Sequence, residues 1–185
     1  MTADLEVWIR LGSFLATLIV MNAWEGISPR RRWGAKKAPR LVSNYALAIL
    51  NTTLVRYITP LSAVAMATWC EENQQGLFYG LGIGHTLNVI VTIICFDLAI
   101  YGQHVAFHYV PVFWRIHKVH HADIDLDVSS GLRFHTIEIV LSMAIKVGLV
   151  YLLGAAAWGV ILFEVILNAG AMFNHSNVRL PAVWD

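Results

Sequence analysis

Charge is scarce in this sequence. Of its 185 residues, 14% are Asp, Glu, Lys or Arg, against about 25% in an average soluble domain. Cysteine is scarcer still. Cys70 and Cys95 stand far apart with no C-x-x-C pair, which leaves two small apolar thiols rather than a disulfide framework. There is no H-E-x-x-H, so the helical motif of zinc metalloproteases is excluded. The glycine-rich "GLGIG" (Gly80 to Gly84) is neither a phosphate-binding loop nor a dinucleotide fingerprint, and it reads as a turn or helix-packing feature. The opening "MTADLEVWIR" has neither a basic n-region nor a small-residue cleavage site, so this segment is expected to stay in the mature protein. Internal repeats, low-complexity tracts and interdomain linkers are missing. The net charge is +1, and no basic patch interleaves with aromatics, so nothing points to nucleic acid.

What the chain has instead is apolar residues, at 57%, with a mean hydropathy of +0.60. Several runs approach the roughly 20 residues a helix needs to cross a bilayer. The expected class is all-α, an integral membrane helical bundle of about four transmembrane passes with a cytoplasmic histidine-rich helical cap. The passes run from about Val7 to Trp24, Leu41 to Cys70 and Leu77 to Tyr101, with a long tract from Ile137 to Phe173. Arg10 is placed to snorkel to the interface. Pro60 is expected to kink the second pass. The last tract is too long for one straight crossing. It is either a helical hairpin or one span plus a helix buried against the others. Residues 1–40 are expected to form an N-terminal transmembrane helix and basic cytoplasmic loop, and residues 41–185 the main membrane domain.

Arg30, Arg31, Arg32, Lys36, Lys37 and Arg40 crowd the first loop, whereas "EENQQ" in the second is acidic. The positive-inside rule then puts residues 28–40 in the cytoplasm. The third pass delivers the chain to that side near Tyr101. A final hairpin would return His175 there, leaving His85 alone on the opposite face.

The stretch "HVAFHYVPVFWRIHKVHH" (His104 to His121) holds five of the chain's eight histidines. His104 and His108 are four apart, and His117, His120 and His121 follow an i, i+3, i+4 pattern, so each group shares a helical face. Asp97 and Tyr101 fall on the stripe of His104. His135 in "RFHTIE" and His175 in "FNHSN" are candidates to join. Neutral imidazole is a strong ligand for iron, copper and zinc. Five to seven clustered histidines exceed the about four donors of one zinc site. Arg133 and Glu138 flank His135 and are read either as support for a ligand or as an interfacial salt bridge. Glu164 and Lys146 are buried charges that call for a partner or a polar cavity. "DIDLD" (Asp123, Asp125, Asp127) fails the calcium-loop pattern, since Val128 and Phe134 stand where Gly and Glu are required. It is expected to be a solvated acidic edge.

The segments "FDLAIYGQHVAFH", "WRIHKVHHADIDLDVSSGLRFHTIEI" and "FNHSNVRLP" resemble the fatty acid hydroxylase/sterol desaturase superfamily, particularly its bacterial members, over roughly Leu41 to Pro181. The resemblance implies a membrane oxygenase with two irons held by histidine boxes, zinc being a possible substitute in purified protein. It implies His104 and His108 as the first box, and His117, His120 and His121 as the second. His175 is a further ligand with Asn177 as its companion, and His135 is a weaker candidate. Asp97, Arg133 and Glu138 would support the ligands. The implied reaction is O₂-dependent hydroxylation or desaturation of a lipid C–H bond. Electrons would come from a cytochrome b5, ferredoxin or reductase. The implied setting is a bacterial inner membrane, with the site facing the cytoplasm. Members of the superfamily carry a further P-x-x-H-x-x-H-H box some tens of residues after "HSN", beyond "LPAVWD". The sequence is therefore expected to be part of a longer hydroxylase, with residues 41–185 its hydroxylase-like domain, incomplete at the C-terminus. The alternative is a shortened relative that binds one metal or completes its site from another subunit. An inactive metal-binding membrane protein and a bis-histidine haem cytochrome are the competing classes.

Overall fold

Apolar segments that meet lipid have no water to satisfy their amides, so they must pair N–H and C=O groups internally, which a helix does within one segment. The computed structural model describes residues 3–32, 34, 37–58, 62–181 and 183. Among these residues there is no strand, only one isolated antiparallel bridge between Pro29 and Val178. The helices are α1 (Ala3–Ile27), α2 (Lys37–Ile58), α3 (Ala63–Asn73), α4 (Leu77–Gly80), α5 (His85–Tyr109), α6 (Pro111–His117), α7 (Thr136–Leu153) and α8 (Ala157–His175). Two 3-10 turns, His120–Ala122 and Val128–Leu132, lie between α6 and α7. The boundary expected at residue 40 falls inside α2. Lys36 and Pro60, with the expected kink, lie outside the described residues.

Among the described residues, five segments are long and apolar enough to cross a membrane: Leu5–Ile27, Lys37–Gly80, His85–Tyr109, Thr136–Leu153 and Ala157–His175. The long C-terminal tract is a helical hairpin, so the candidate spans number five where four passes were drawn. Gly154 makes the bend with a left-handed φ of 68°, and its N–H bonds Val150 O at 2.8 Å. The pattern of exposure is that of a lipid-facing protein. Trp8, Ile19, Ile49, Leu98 and Leu152 all point outward, whereas a soluble monomer rarely leaves more than a few hundred Å² of contiguous apolar surface bare.

Helix α8 is the hub, packed against α1, α3 and α5. Phe163 meets Phe96 edge to face at 5.4 Å, and Val160 and Ile161 join Val64, Ala67 and Val150 in a fully buried core. Small residues set this close approach. A Cβ on Gly159 would sit 2.8 Å from Thr92 Cβ on α5. Charge is buried here too. Glu164 on α8 accepts from Lys146 Nζ on α7 at 2.6 Å and pairs with Arg10 Nη2 on α1 at 2.9 Å. Arg10, whose side chain is 36% exposed, thus has an ionic partner in the bundle. That partner, on α8, is inaccessible to sequence periodicity.

At one end of the bundle the α3–α4 and α7–α8 connections touch backbone to backbone. Gly76 has φ 114°, and a Cβ there would lie 2.2 Å from Gly154 N. Asn88 fastens the same turn, donating to Gly154 O at 3.0 Å and accepting from Ala156 N at 2.9 Å. Gly76→Ala is expected to lower stability by about 2–5 kcal/mol, combining left-handed backbone strain with overpacking. Equilibrium unfolding in mixed micelles reads this directly.

Candidate metal centre

At the other end, the chain's histidines come together because of a proline. Pro111 disfavours helical backbone at the residue before it, and Val110 is extended (φ −91°, ψ 117°). That ends α5 one turn after His104 and starts α6 with proline at its first position. Helix α6 then doubles back and places His117 beside α5. The His104 and His117 rings are 4.8 Å apart, and those of His108 and His117 are 4.9 Å apart. The ligand atoms of His104, His108 and His117 all lie within 4.8 Å of one another. The next 3-10 turn adds His121, 4.9 Å from His108, and His120, 5.0 Å from His121. The last turn of α8 supplies His175, whose ring is 4.5 Å from that of His120. Six imidazoles from four elements form one connected group.

Their outer nitrogens are tied down. His120 Nδ1 donates to Arg133 O at 3.0 Å, and His175 Nδ1 donates to Ala171 O at 2.8 Å. A carbonyl only accepts, so both Nδ1 atoms carry the proton and each neutral ring keeps its lone pair on Nε2. His117 Nδ1 pairs with Glu138 Oε1 at 2.8 Å, fixing the same tautomer when the carboxylate is ionised. The inner nitrogens face one another: His104 Nε2 lies 3.1 Å from His108 Nε2, and His117 Nε2 lies 3.2 Å from His121 Nε2. Burial first, then neighbouring imidazoles, pushes His117 down to about 4 and His120 down to about 3. His121 is lowered by the same causes. Neutral, converging Nε2 donors are what a divalent cation takes. Glu138 is buried, and its Oε2 has no hydrogen-bond partner among the described residues. A cation on His117 Nε2 would offset that charge through the ring.

Aromatic rings wall the group. Phe134 stacks on His120 at 4.5 Å, Phe107 on His117 at 5.5 Å, and Trp114 sits 5.5 Å from His108. Nothing in the histidine spacing announces these partners, although Phe134 lies in the "RFH" segment.

The acidic run is not a solvated edge. Asp127 is buried, and the Asp123 side chain is 2% exposed. Arg40 on α2 grips Asp123 through Nε at 2.6 Å and Nη2 at 3.0 Å, reaches Asp127 through Nη1 at 3.2 Å, and donates to Asp125 O. Asn44 and Ser130 donate to Asp123 Oδ2 at 2.7 and 2.6 Å. Burial alone would raise the Asp123 carboxyl, but hydrogen bonds from Arg40, Ser130 and Asn44 outweigh it and hold it below the usual range. Arg133 closes the knot, bonding Asn44 Oδ1 at 2.9 Å and Val119 O at 2.9 Å, while its own carbonyl holds His120. The signal available in sequence was the polar set Arg40, Asn44 and Asn51, the buried polar residues of α2. Asn51 bonds Phe134 O at 2.8 Å.

The remaining candidates sit apart from the six rings. His135 caps α7, its Nδ1 accepting from Ile137 N at 3.2 Å. Asp97 is exposed on α5. Asn177 faces the basic loop and bonds Arg31 N and Arg31 O at 2.9 and 2.8 Å. His85 starts α5, at the far end from the cluster.

Membrane-length helices ending in a dense histidine cluster are compatible with a membrane protein that binds a metal. The chain belongs to the fatty acid hydroxylase family, whose model matches residues 89–185. That stretch begins inside α5 and includes all six clustered histidines. No curated protein and no solved structure matches the chain.

Proposed function

We propose that this protein is a membrane-bound oxidoreductase that uses iron and O₂ to hydroxylate or desaturate a C–H bond of a lipid drawn from the bilayer. Family membership supports the class. The observation that carries the metal reading is the convergence of six imidazoles, three of them fixed through Nδ1 so that Nε2 faces the group. The ligands are His104, His108, His117, His120, His121 and His175, and their number favours two ions over the about four donors of one zinc. His135 supports the site by capping the helix that carries Glu138. Glu138 and Arg133 hold His117 and His120 in place.

Iron bound there supplies the redox chemistry that activates O₂. The chain's own part is electrostatic and steric. Neutral donors keep the negative charge of the site low, Glu138 keeps a proton on His117 Nδ1, and Phe107, Trp114 and Phe134 pack against the rings of His117, His108 and His120. Electrons come from a separate donor: a cytochrome b5, a ferredoxin or a reductase. Arg30, Arg31 and Arg32 lie at the histidine end, which by the positive-inside rule is the cytoplasmic face of a bacterial inner membrane.

Metal analysis combined with turnover tests this reading. Protein purified from iron-supplemented cells is expected to carry roughly two irons, as six histidine donors allow. With reductant and membrane lipid it should consume O₂ and yield a hydroxylated or desaturated lipid by mass spectrometry. One zinc without reductant-dependent product would instead leave a metal-binding membrane protein, and no metal a structural one. A Soret band would indicate haem.

A further inference from the structure

A second feature at the histidine end is independent of the metal. Arg30, Arg31, Arg32 and Arg179 line a single cleft of about 320 Å³ with Ser28 and Pro29. Positive charge in this loop satisfies topology whether the loop is ordered or not, so topology does not explain a built cleft. Here the backbone is stitched across two distant segments. Pro29 bridges Val178, Arg179 N bonds Ser28 O at 2.9 Å, and Arg30 N bonds Asn177 O at 3.0 Å. Asn177 clamps Arg31 from both sides, and Glu25 Oε1 accepts from Asn177 N at 2.7 Å. The side chains of Arg31, Arg32 and Arg179 are exposed. Like charges held together in this way repel one another, and an anion between them relieves the repulsion.

The surroundings indicate which anion. The cleft opens at the end of α1, a candidate membrane span, and Ile27 on its rim is 84% exposed. One turn back, Trp24 packs against Phe173 of α8 at 6.4 Å, and both rings are partly open to the outside. A free anion has no use for an apolar wall leading away from its site. A phospholipid has, because its acyl chains would lie along α1 and α8 while its phosphate enters the arginine cleft. We propose that this cleft binds the headgroup of an anionic membrane phospholipid.

The test is melting of the protein in nonionic detergent micelles doped with phosphatidylglycerol or phosphatidylcholine. Phosphatidylglycerol is expected to raise the melting temperature, and phosphatidylcholine, whose choline cancels the charge, to do so far less. Added salt should weaken the effect, since the contacts are exposed. The triple variant Arg31→Gln/Arg32→Gln/Arg179→Gln should weaken the response by about 100-fold in lipid concentration. Arg115→Gln, which removes one exposed charge outside the cleft, should leave it unchanged. Equal responses to the two lipids, indifference to salt, or an unaffected triple variant would overturn the proposal. So would inorganic phosphate matching phosphatidylglycerol at equal concentration, which would make the cleft a free-anion site. Should the triple variant not fold, Arg32→Gln, whose backbone takes no part in the stitching, must still weaken the response.

Discussion

Purified His108→Ala protein is expected to keep its fold and lose most of its bound iron, and lipid oxidation with it. His108 is exposed at the end of α5, and among the described residues its hydrogen-bond partner is the His104 ring. Truncating it therefore opens no cavity in the bundle. It does remove a member of the tightest trio of ligand atoms, His104, His108 and His117. Altering a residue that merely backs a ligand typically costs 10–100-fold in metal affinity, so losing a ligand should cost about that or more. Glu138→Gln supplies the graded comparison. The amide can still accept from His117 Nδ1, but the negative charge behind the ring is gone, and affinity should fall by about 10–100-fold. Iron content by atomic spectrometry, set beside circular dichroism and melting temperature, separates the two effects. Full iron occupancy in His108→Ala would remove that residue from the site.

Arg40→Ala is expected to produce a loss of stability comparable to Gly76→Ala, with damage that spreads to the metal site. Its side chain is 8% exposed, and its partners Asp123 and Asp127 are 2% and 1% exposed. Deleting one member of a buried ion pair leaves an uncompensated charge and costs about 3–5 kcal/mol. The loop thus loosened runs from His121 to Arg133, whose carbonyl holds His120, so metal affinity should fall as well. Arg40→Lys should recover only part of the loss, because a single ammonium cannot reproduce the fork that grips both Asp123 oxygens. Equilibrium unfolding in mixed micelles, with iron content, measures both effects. A stability loss below about 1 kcal/mol, as for an exposed pair, would show that the knot is not what holds this segment.

What was legible in the sequence is what is local. The i, i+4 and i+3 spacings already put His104 with His108 and grouped His117, His120 and His121, because helical geometry alone decides those neighbours. The arrival of His175 depended on reading the last tract as a hairpin, and Gly154 near its middle marked where the bend falls. The misreadings concern pairings between distant segments. Asp123 and Asp127 looked solvated because their counter-charge, Arg40, lies more than 80 residues earlier. The partner of Arg10 went unread because Glu164 is remote in the chain. Asn177 was expected beside His175 and instead binds the basic loop, since a side-chain amide bonds whichever backbone its neighbourhood presents.

The Arg10–Glu164–Lys146 group has a consequence for biogenesis. Lys146 and Glu164 belong to the same hairpin, so that hairpin can enter the bilayer as a unit with its charges already neutralising one another. Arg10 leaves the ribosome first, yet its acidic partner on α8 is made more than 150 residues later. Until then, α1 must carry a cation into the membrane with only Glu6, one turn away at 2.8 Å, as its counter-ion. Arginine in a membrane span costs up to about 2.5–3.5 kcal/mol on insertion, so α1 is expected to seat more firmly once α8 supplies Glu164. Docking of α8 against α1 supplies that partner, and the same helix carries His175 to the other histidines. The pairing of Arg10 and the arrival of His175 are thus tied to the seating of one helix, α8.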